Sequence, residues 1–409
     1  MRDQLRVERA ELENILEHNI LDYWLTHGID TVNGGFIGYV DYHNRKDLSA
    51  PKGSVLNTRI LWTFSAAYRF FQRRAYLEAA NRAFDYLLDH FWDKENGGTI
   101  WAVDARGNPT NKRKQTYALA FAIYAFCEYY AATGNTIALE KALELYRLIE
   151  QHCVDRENGG YWEALGEKWE QIEDVRLSEK DANEKKSMNT HLHVLEAYAN
   201  LARVWPEGEV RAALHNLIRI FLEHIIDPRH GHFNLFFDEY WNVRSAIVSF
   251  GHDIEGSWLL DEAAQVYHDA DLLRQVRGYS VRLVEAALEG LDADGGLMNE
   301  KNLVTGHLDT DKHWWQQAEA MVGLLNAYQI TQNENYLELC LKVWNFIKSK
   351  IIDFTNGEWY WKVNRTGDIY PNDEKIGFWK CPYHNSRACL EMMARLDRLS
   401  TTDDGGIFS

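Results

Sequence analysis

Six times along the chain a glycine turn flanked by aromatic or aliphatic residues recurs at nearly constant spacing. The copies are Asn33-Gly34-Gly35-Phe36, Asn96-Gly97-Gly98-Thr99, Asn158-Gly159-Gly160-Tyr161, His230-Gly231-His232-Phe233, Asp294-Gly295-Gly296-Leu297 and Asn356-Gly357-Glu358-Trp359. From Gly35 through Gly98, Gly160, Gly231, Gly296 and Gly357 the intervals are 63, 62, 71, 65 and 61 residues. A fixed period means that one structural unit is repeated, and the unit decides the fold.

Each turn lies between two helical patterns. Upstream of Gly98, Tyr76 to Leu88 places apolar residues three and four apart, the signature of a helix with one buried face. Downstream, Tyr117 to Phe126 is apolar almost all round, as a helix buried on every side must be. One unit is therefore an outer helix, a short hairpin at the glycines, where Asn-Gly supplies positive φ, and an inner helix. Six such pairs predict an all-α fold, an (α/α)6 barrel of twelve helices. An open solenoid has the same period, but six copies without a capping repeat favour closure. The repeat fills nearly the whole chain, so residues 1–400 are read as one catalytic domain and 401–409 as a frayed tail.

The chain has 61 acidic against 44 basic residues, a net charge of −17, which argues against nucleic acid or an anionic membrane as partner. Its 15 Trp, 21 Tyr and 17 Phe fill a core and suit stacking on sugar rings. Five cysteines without paired spacing read as reduced thiols. The first residues carry no signal-peptide apolar region, and no apolar run is long enough to span a bilayer; a cytoplasmic protein is expected.

Chemistry collects where the inner helices begin: Asn57-Thr58-Arg59, Gln115-Thr116-Tyr117, Asn189-Thr190-His191-Leu192-His193, Gly251-His252-Asp253-Ile254-Glu255, His313-Trp314-Trp315 and Tyr383-His384-Asn385-Ser386-Arg387. In a closed barrel these starts converge on one mouth. Polar side chains, costly inside an apolar helix, are tolerated there if they face a wet pocket. Helix N-termini add free N–H groups and a partial positive field suited to an anionic intermediate. His252 and Glu255, three apart, share a helical face, with Glu255 placed to orient the imidazole or touch substrate. Asn189 and His193 share another, as do His384 and Arg387; His191 and His193 point to different sides. A lone histidine on an inner helix is usually a core residue, but His193, His252 and His384 at equivalent places in three repeats make a catalytic set. Arg59 either pairs with a buried carboxylate or meets substrate. Trp315 is core or pocket. Trp379 sits in a loop where a tryptophan is less easily buried. Asp181, in a charged stretch, reads by default as solvated. No metal motif is present, and no metal or cofactor is expected, although some of the 16 histidines leave ligation open.

Gly251-His-Asp-Ile-Glu255, Asn189-Thr-His-Leu-His-Val-Leu-Glu-Ala-Tyr198 and Pro382-Tyr-His-Asn385 together resemble the N-acylglucosamine 2-epimerase superfamily, and within it the cellobiose 2-epimerases, over residues 5–398. The resemblance implies epimerisation at C2 of the reducing-end glucose of β-1,4-linked disaccharides, without metal or nucleotide, by a monomer or weak homodimer. It implies acid and base roles for His252 and His384. It further implies substrate contacts for Arg59, Tyr117, Asn189, His193, Glu255, Trp315 and Trp379, with Asp181 in a neighbouring loop. Two positions depart from the family pattern: Leu119, where some members carry a pocket-facing glutamine, and Cys381, where glycine is common.

The chemistry fits these residue types. Once the ring opens to the aldehyde, C2–H is removable by a positioned base, and imidazole titrates near neutral pH. Two imidazoles on opposite faces invert C2, and Arg59 is suited to the enediolate oxygen. His193 and His384 are the candidates for ring opening. Four other readings stay open at this point: a mannose-type aldose–ketose isomerase, an N-acylglucosamine epimerase, an α/α-barrel glycoside hydrolase using two of Asp253, Glu255 and Glu319, and a non-catalytic sugar-binding toroid.

Overall fold

The computed structural model describes residues 2–402, and side chains from 6 to 400. Six outer helices are α1 (Arg2–Asn14), α3 (Arg74–Tyr86), α5 (Thr136–Leu148), α7 (Gly208–Ile220), α9 (Ala270–Ala287) and α11 (Glu334–Phe346). Six inner helices alternate with them: α2 (Ser54–Phe71), α4 (Thr116–Thr133), α6 (Met188–Val204), α8 (Phe250–Tyr267), α10 (Trp314–Thr331) and α12 (Tyr383–Thr402). The difference in patterning is the difference in burial. In α3 only Tyr76, Ala79, Ala80, Ala83, Phe84 and Tyr86 are buried, whereas α4 is buried without a break from Thr116 to Tyr129.

Each inner helix packs on the next, from α2 through α4, α6, α8 and α10 to α12, and α12 packs back on α2. The outer helix α1 covers α12, so the two ends of the chain complete the last pair. Contact between the first and last inner helices makes this a closed ring rather than a solenoid. The last inner helix continues to Thr402, beyond the boundary expected at 400, and the remainder of the expected tail lies outside the described residues.

All six glycine turns close a one-bridge hairpin: Ile29–Phe36, Trp92–Thr99, Val154–Tyr161, Ile226–Phe233, Leu291–Leu297 and Ile352–Trp359. In the second copy Gly97 and Gly98 both have φ of 76°, a conformation that costs a side-chain-bearing residue about 1 kcal/mol or more. An aspartate before the glycines receives the turn's N–H groups; Asp93 accepts from Glu95 and Asn96. The same carboxylate pairs with a buried lysine two residues before the next inner helix in four units: Lys52–Asp30, Lys114–Asp93, Lys186–Asp155 and Lys312–Asp292. In the sixth the partner is Lys375 of the strand Glu374–Ile376, eight residues ahead of α12, as Lys375–Asp353. The fourth unit departs, and Asp227 meets Arg229 instead.

The connections hold more than hairpins. Short strands just ahead of the inner helices pair with strands in neighbouring connections, as Lys114–Gln115 does with Ala164–Leu165 and Lys186–Ser187 with Phe236–Phe237. Among the described residues six small antiparallel sheets result. They lace the inner-helix N-termini together around one mouth, which fixes where the polar starts point.

Candidate active site

A cavity of about 400 Å³ opens at that mouth, and all ten sequence-predicted site residues line it: Arg59, Tyr117, Asp181, Asn189, His193, His252, Glu255, Trp315, Trp379 and His384. Trp314, Trp361 and the segment from Leu177 to Lys180 complete the wall. The walls differ in origin. The interval from turn glycine to inner helix is 18 or 19 residues in four units, but 28 in the third (Gly160 to Met188) and 26 in the sixth (Gly357 to Tyr383). Those two longer connections carry Asp181 and Trp379. Asp181 is half-buried and accepts from the Ser178 N–H at 2.8 Å, and burial raises its carboxyl. It is a cavity wall, not the solvated loop residue that its charged surroundings suggest.

The three histidines occupy two tiers rather than equivalent places. His384 is the second residue of α12 and His252 the third of α8, whereas His193 is the sixth of α6, one turn deeper. The sixth position also supplies Arg59, Glu255 and Glu319. Trp315 packs against both upper imidazoles, with ring centroids 4.8 Å from His252 and 5.6 Å from His384. His193 meets Tyr117 edge-on at 4.8 Å and Phe121 at 4.6 Å.

Each imidazole commits Nδ1 to a protein partner and leaves Nε2 for the cavity. His384 Nδ1 lies 2.7 Å from Glu319 Oε1, His193 Nδ1 2.9 Å from Glu196 Oε2, and His252 Nδ1 2.8 Å from Ser249 Oγ. Glu255 therefore does not orient His252, as its spacing suggests. It accepts from Arg387 Nη2 at 2.8 Å and lies 3.8 Å from His384 Nδ1. Burial lowers all three imidazoles. His252 and His384 are pushed down to about 3, the latter despite Glu319, and His193 is lowered despite Glu196. All three are neutral at neutral pH.

Arg59 is 3% exposed and pairs with no carboxylate among the described residues. Nη2 donates to the Tyr117 hydroxyl at 2.7 Å, Nη1 lies 3.8 Å from Cys381 Sγ, and the guanidinium stacks 4.3 Å from Phe121 and 5.1 Å from Tyr383. Three buried polar atoms on cavity residues, Arg59 Nε, Asn189 Oδ1 and Trp314 Nε1, have no hydrogen-bond partner among the described residues. Buried donors and acceptors left over at a cavity are places for a polar ligand. Leu119 packs against the Gly98 turn and is fully buried; it does not line the cavity, so the departure there leaves the wall untouched.

Behind the histidines lie Glu196, Ser249 and Tyr383, which the sequence does not single out, together with Arg387, which shares a helical face with His384, and Glu319, a support rather than a hydrolytic carboxylate. The pairs His193–Glu196 and His384–Arg387, each three apart, are the available signal. Burial alone would raise Glu196, but Arg387, His193 and Tyr383 outweigh it and hold the carboxyl at about 2. Glu319 is also held low, by Arg387 and His384 against burial. Burial and the charge of Glu319 push Glu255 well above the carboxylate range.

Glu255, Glu319 and His384 offer ligand atoms within 4.8 Å of one another. Arg387 Nη2, at 2.8 and 2.7 Å from the two carboxylates, stands where a cation would. The same pairing weakens the hydrolase reading, because these carboxylates face a guanidinium beneath the histidines. Asp253 is bound to His232 Nδ1 and the Phe233 N–H, away from the cavity.

Comparison with known proteins gives a consistent assignment. The sequence profile of N-acylglucosamine 2-epimerase (GlcNAc 2-epimerase) matches residues 34–388. A cellobiose 2-epimerase of Bacteroides fragilis is 47% identical over 385 residues, covering 94% of this chain and 98% of its own length. One of Dictyoglomus turgidum is 39% identical over 393 residues, 96% of this chain and all of its own. The structure of cellobiose 2-epimerase from Spirochaeta thermophila superposes with a TM-score of 0.92 at 40% identity, covering 97% of this chain and 98% of that one. With barrel, mouth and profile in agreement from the first glycine turn to the last inner helix, the chain belongs to the N-acylglucosamine 2-epimerase family.

Proposed function

We propose that this chain, a carbohydrate epimerase of that family, interconverts glucose and mannose at the reducing end of β-1,4-linked disaccharides, cellobiose first and lactose next. The observation that carries the reading is the pair His252 and His384, which bracket Trp315 and line one cavity. The high identity to cellobiose 2-epimerases along the whole chain supports the disaccharide as substrate. Trp379 beside Tyr117, centroids 6.0 Å apart, suits the stacking of a second sugar unit.

The reaction balances with the groups present and solvent. On ring opening, the bare Nε2 of His193, or that of His384, takes the anomeric hydroxyl proton and hands it to the ring oxygen as the C1–O5 bond breaks. C1 is now a carbonyl. Neutral His252 Nε2 removes the C2 proton, the electron pair moves onto the carbonyl oxygen, and Arg59 stabilises the enediolate. His384, protonated at Nε2 from solvent and held as an imidazolium by Glu319, gives that proton to C2 from the opposite face, and the configuration inverts. His252 releases the C2 proton to solvent before the ring closes. Depressed imidazoles suit this work because the resting base must be neutral. We place the reaction in the cytoplasm, in a single domain spanning 1–400 that acts as a monomer or weak homodimer; among the described residues no helix is long and apolar enough to cross a membrane.

Incubation with cellobiose in deuterated water tests the proposal. The expected product is glucosyl-mannose with deuterium at C2 of the reducing unit, at the same rate after treatment with a chelator. Release of monosaccharide, an unlabelled C2, or loss of activity with the chelator would each refute it.

A further inference from the structure

We propose that Arg387 is the positioning residue that, through Glu196 and Glu319, fixes the ring protons of His193 and His384 on Nδ1, so that both imidazoles present a bare Nε2 to the cavity. The inference rests on the two-histidine reading for its consequence in turnover, but its structural content stands apart from any substrate.

Arg387 does not line the cavity. It is 1% exposed, on α12, with its guanidinium lying 4.4 Å from the Tyr383 ring and 4.7 Å from that of Trp258. From there it reaches carboxylates on three other inner helices. Nη1 bonds Glu196 Oε1 and the Tyr383 hydroxyl, and Nη2 bonds Glu255 and Glu319 at 2.8 and 2.7 Å.

The balance of donors and acceptors around the two glutamates fixes where the ring protons sit. Glu319 Oε1 receives Arg387 Nη2 and faces His384 Nδ1, while Oε2 receives Trp258 Nε1 at 3.0 Å. Arginine and tryptophan nitrogens only donate. An ionised carboxylate only accepts, so the one remaining partner, His384 Nδ1, must carry its proton. Glu196 repeats the logic. Oε1 takes Arg387 and Tyr383, and Oε2 lies 2.9 Å from His193 Nδ1. If Glu319 were protonated, its only acceptor would be the His384 imidazole; a protonated Glu196 would have the His193 imidazole and the Tyr383 hydroxyl oxygen. With the imidazole as acceptor, the proton would sit on the carboxyl, the ring hydrogen would move to Nε2, and the face turned to substrate would lose its lone pair. The guanidinium keeps both carboxylates ionised at once, one on each prong of its fork. Lysine, a point charge, cannot occupy both prong positions.

The test uses the full chain with ¹⁵N-labelled histidine, following ring tautomers by NMR in wild type and Arg387→Lys, alongside kinetics on cellobiose. The wild type should show Nδ1–H at both His193 and His384. In Arg387→Lys at least one of them should shift to Nε2–H, and kcat should fall about a hundredfold or more, the range for losing a general acid–base group, with KM within about threefold. In the Glu319→Gln background the lysine substitution should cost less than in wild type, because coupled residues are non-additive. Folded Arg387→Lys with both tautomers unchanged overturns the inference, as does full additivity in the cycle. Should Arg387→Lys fail to fold, an Nε2–H tautomer at either histidine of the wild type overturns it alone. A wild type that leaves C2 of cellobiose unlabelled would refute the proposed reaction, while the tautomers would still decide the role of Arg387.

Discussion

Arg59→Met should separate stability from turnover in opposite directions. Arg59 is buried and charged, yet its contacts are three aromatic rings, 4.3, 5.1 and 5.8 Å away, the Cys381 sulfur at 3.8 Å and the Tyr117 hydroxyl at 2.7 Å. Desolvated cation–π contacts contribute about 1–2 kcal/mol each, and a hydrogen bond from a charged donor about 1.5–3 kcal/mol. Taking a guanidinium out of water costs several kcal/mol, so the two sides cancel to within a few kcal/mol. Methionine fills similar space, needs no desolvation and strands no carboxylate. Thermal unfolding should therefore leave Tm near the wild-type value or above it. Turnover should behave differently. Removing one preorganised donor to a developing oxyanion costs about 10²–10³ in kcat, and the loss should fall on kcat rather than KM because the charge develops only in the transition state. Steady-state kinetics on cellobiose and calorimetry on the same preparation check both halves. A variant that unfolds readily would mean the guanidinium is a structural cation, and unchanged kcat would remove it from the chemistry.

His252→Asn and His384→Asn should each lower kcat by about 10²–10⁴ with the circular dichroism unchanged; a drop in affinity alone would favour a sugar-binding toroid. His191, by contrast, is structural: Nδ1 lies 2.7 Å from the Ser187 carbonyl and Nε2 accepts from the Tyr161 N–H. Burial pushes it down to about 4, below the ordinary value near 6.5, so its contribution to stability is fully present above about pH 6.5 and is lost as the pH falls towards 4. Urea melts of wild type and His191→Gln at pH 8, 6.5 and 5 should show a gap that narrows with acid; a constant gap would contradict a neutral, buried imidazole. Lys52→Met leaves Asp30 buried without its cation and should cost about 3–5 kcal/mol, whereas Arg229→Ala in the exposed fourth-unit pair should cost less than about 1 kcal/mol; equal losses in denaturant melts would be inconsistent with the burial difference of the two pairs.

The fold was legible because period and burial report the same thing. The glycine turns repeat where a hairpin forces positive φ, and the all-apolar segments after them are the helices with no exposed face. Closure was less legible, since it rests on α12 meeting α2, a contact between residues some 320 positions apart that no local pattern encodes. The cavity wall was readable to the degree that it breaks the repeat. Asp181 looks like a solvated loop residue from composition, yet it sits in one of the two connections that exceed the common length, and the other carries Trp379. Length excess is the better signal than charge.

Hidden from the sequence is the layer beneath the imidazoles. Residues three apart on a helix share a face, which pairs Glu255 with His252, but the interior of a barrel is shared by six helices, and a side chain there is nearer to its neighbours across the ring than to its own helix. Glu255 reaches across to Arg387, and Glu319 on α10 reaches His384 on α12. Spacing within one helix succeeds for His193 and Glu196, three apart on α6, and for Arg387 and Tyr383, four apart on α12. Partners drawn from different helices also make the two members of the proposed acid–base pair unequal. His384 has a carboxylate at Nδ1 and can hold positive charge, whereas His252 has only the Ser249 hydroxyl and is favoured as the neutral base. Replacing Ser249 with alanine should then leave the rate of the glucose-to-mannose direction within about tenfold of wild type, while Glu319→Gln should lower it further, since it removes the anion bonded to Nδ1 that stabilises the imidazolium of His384.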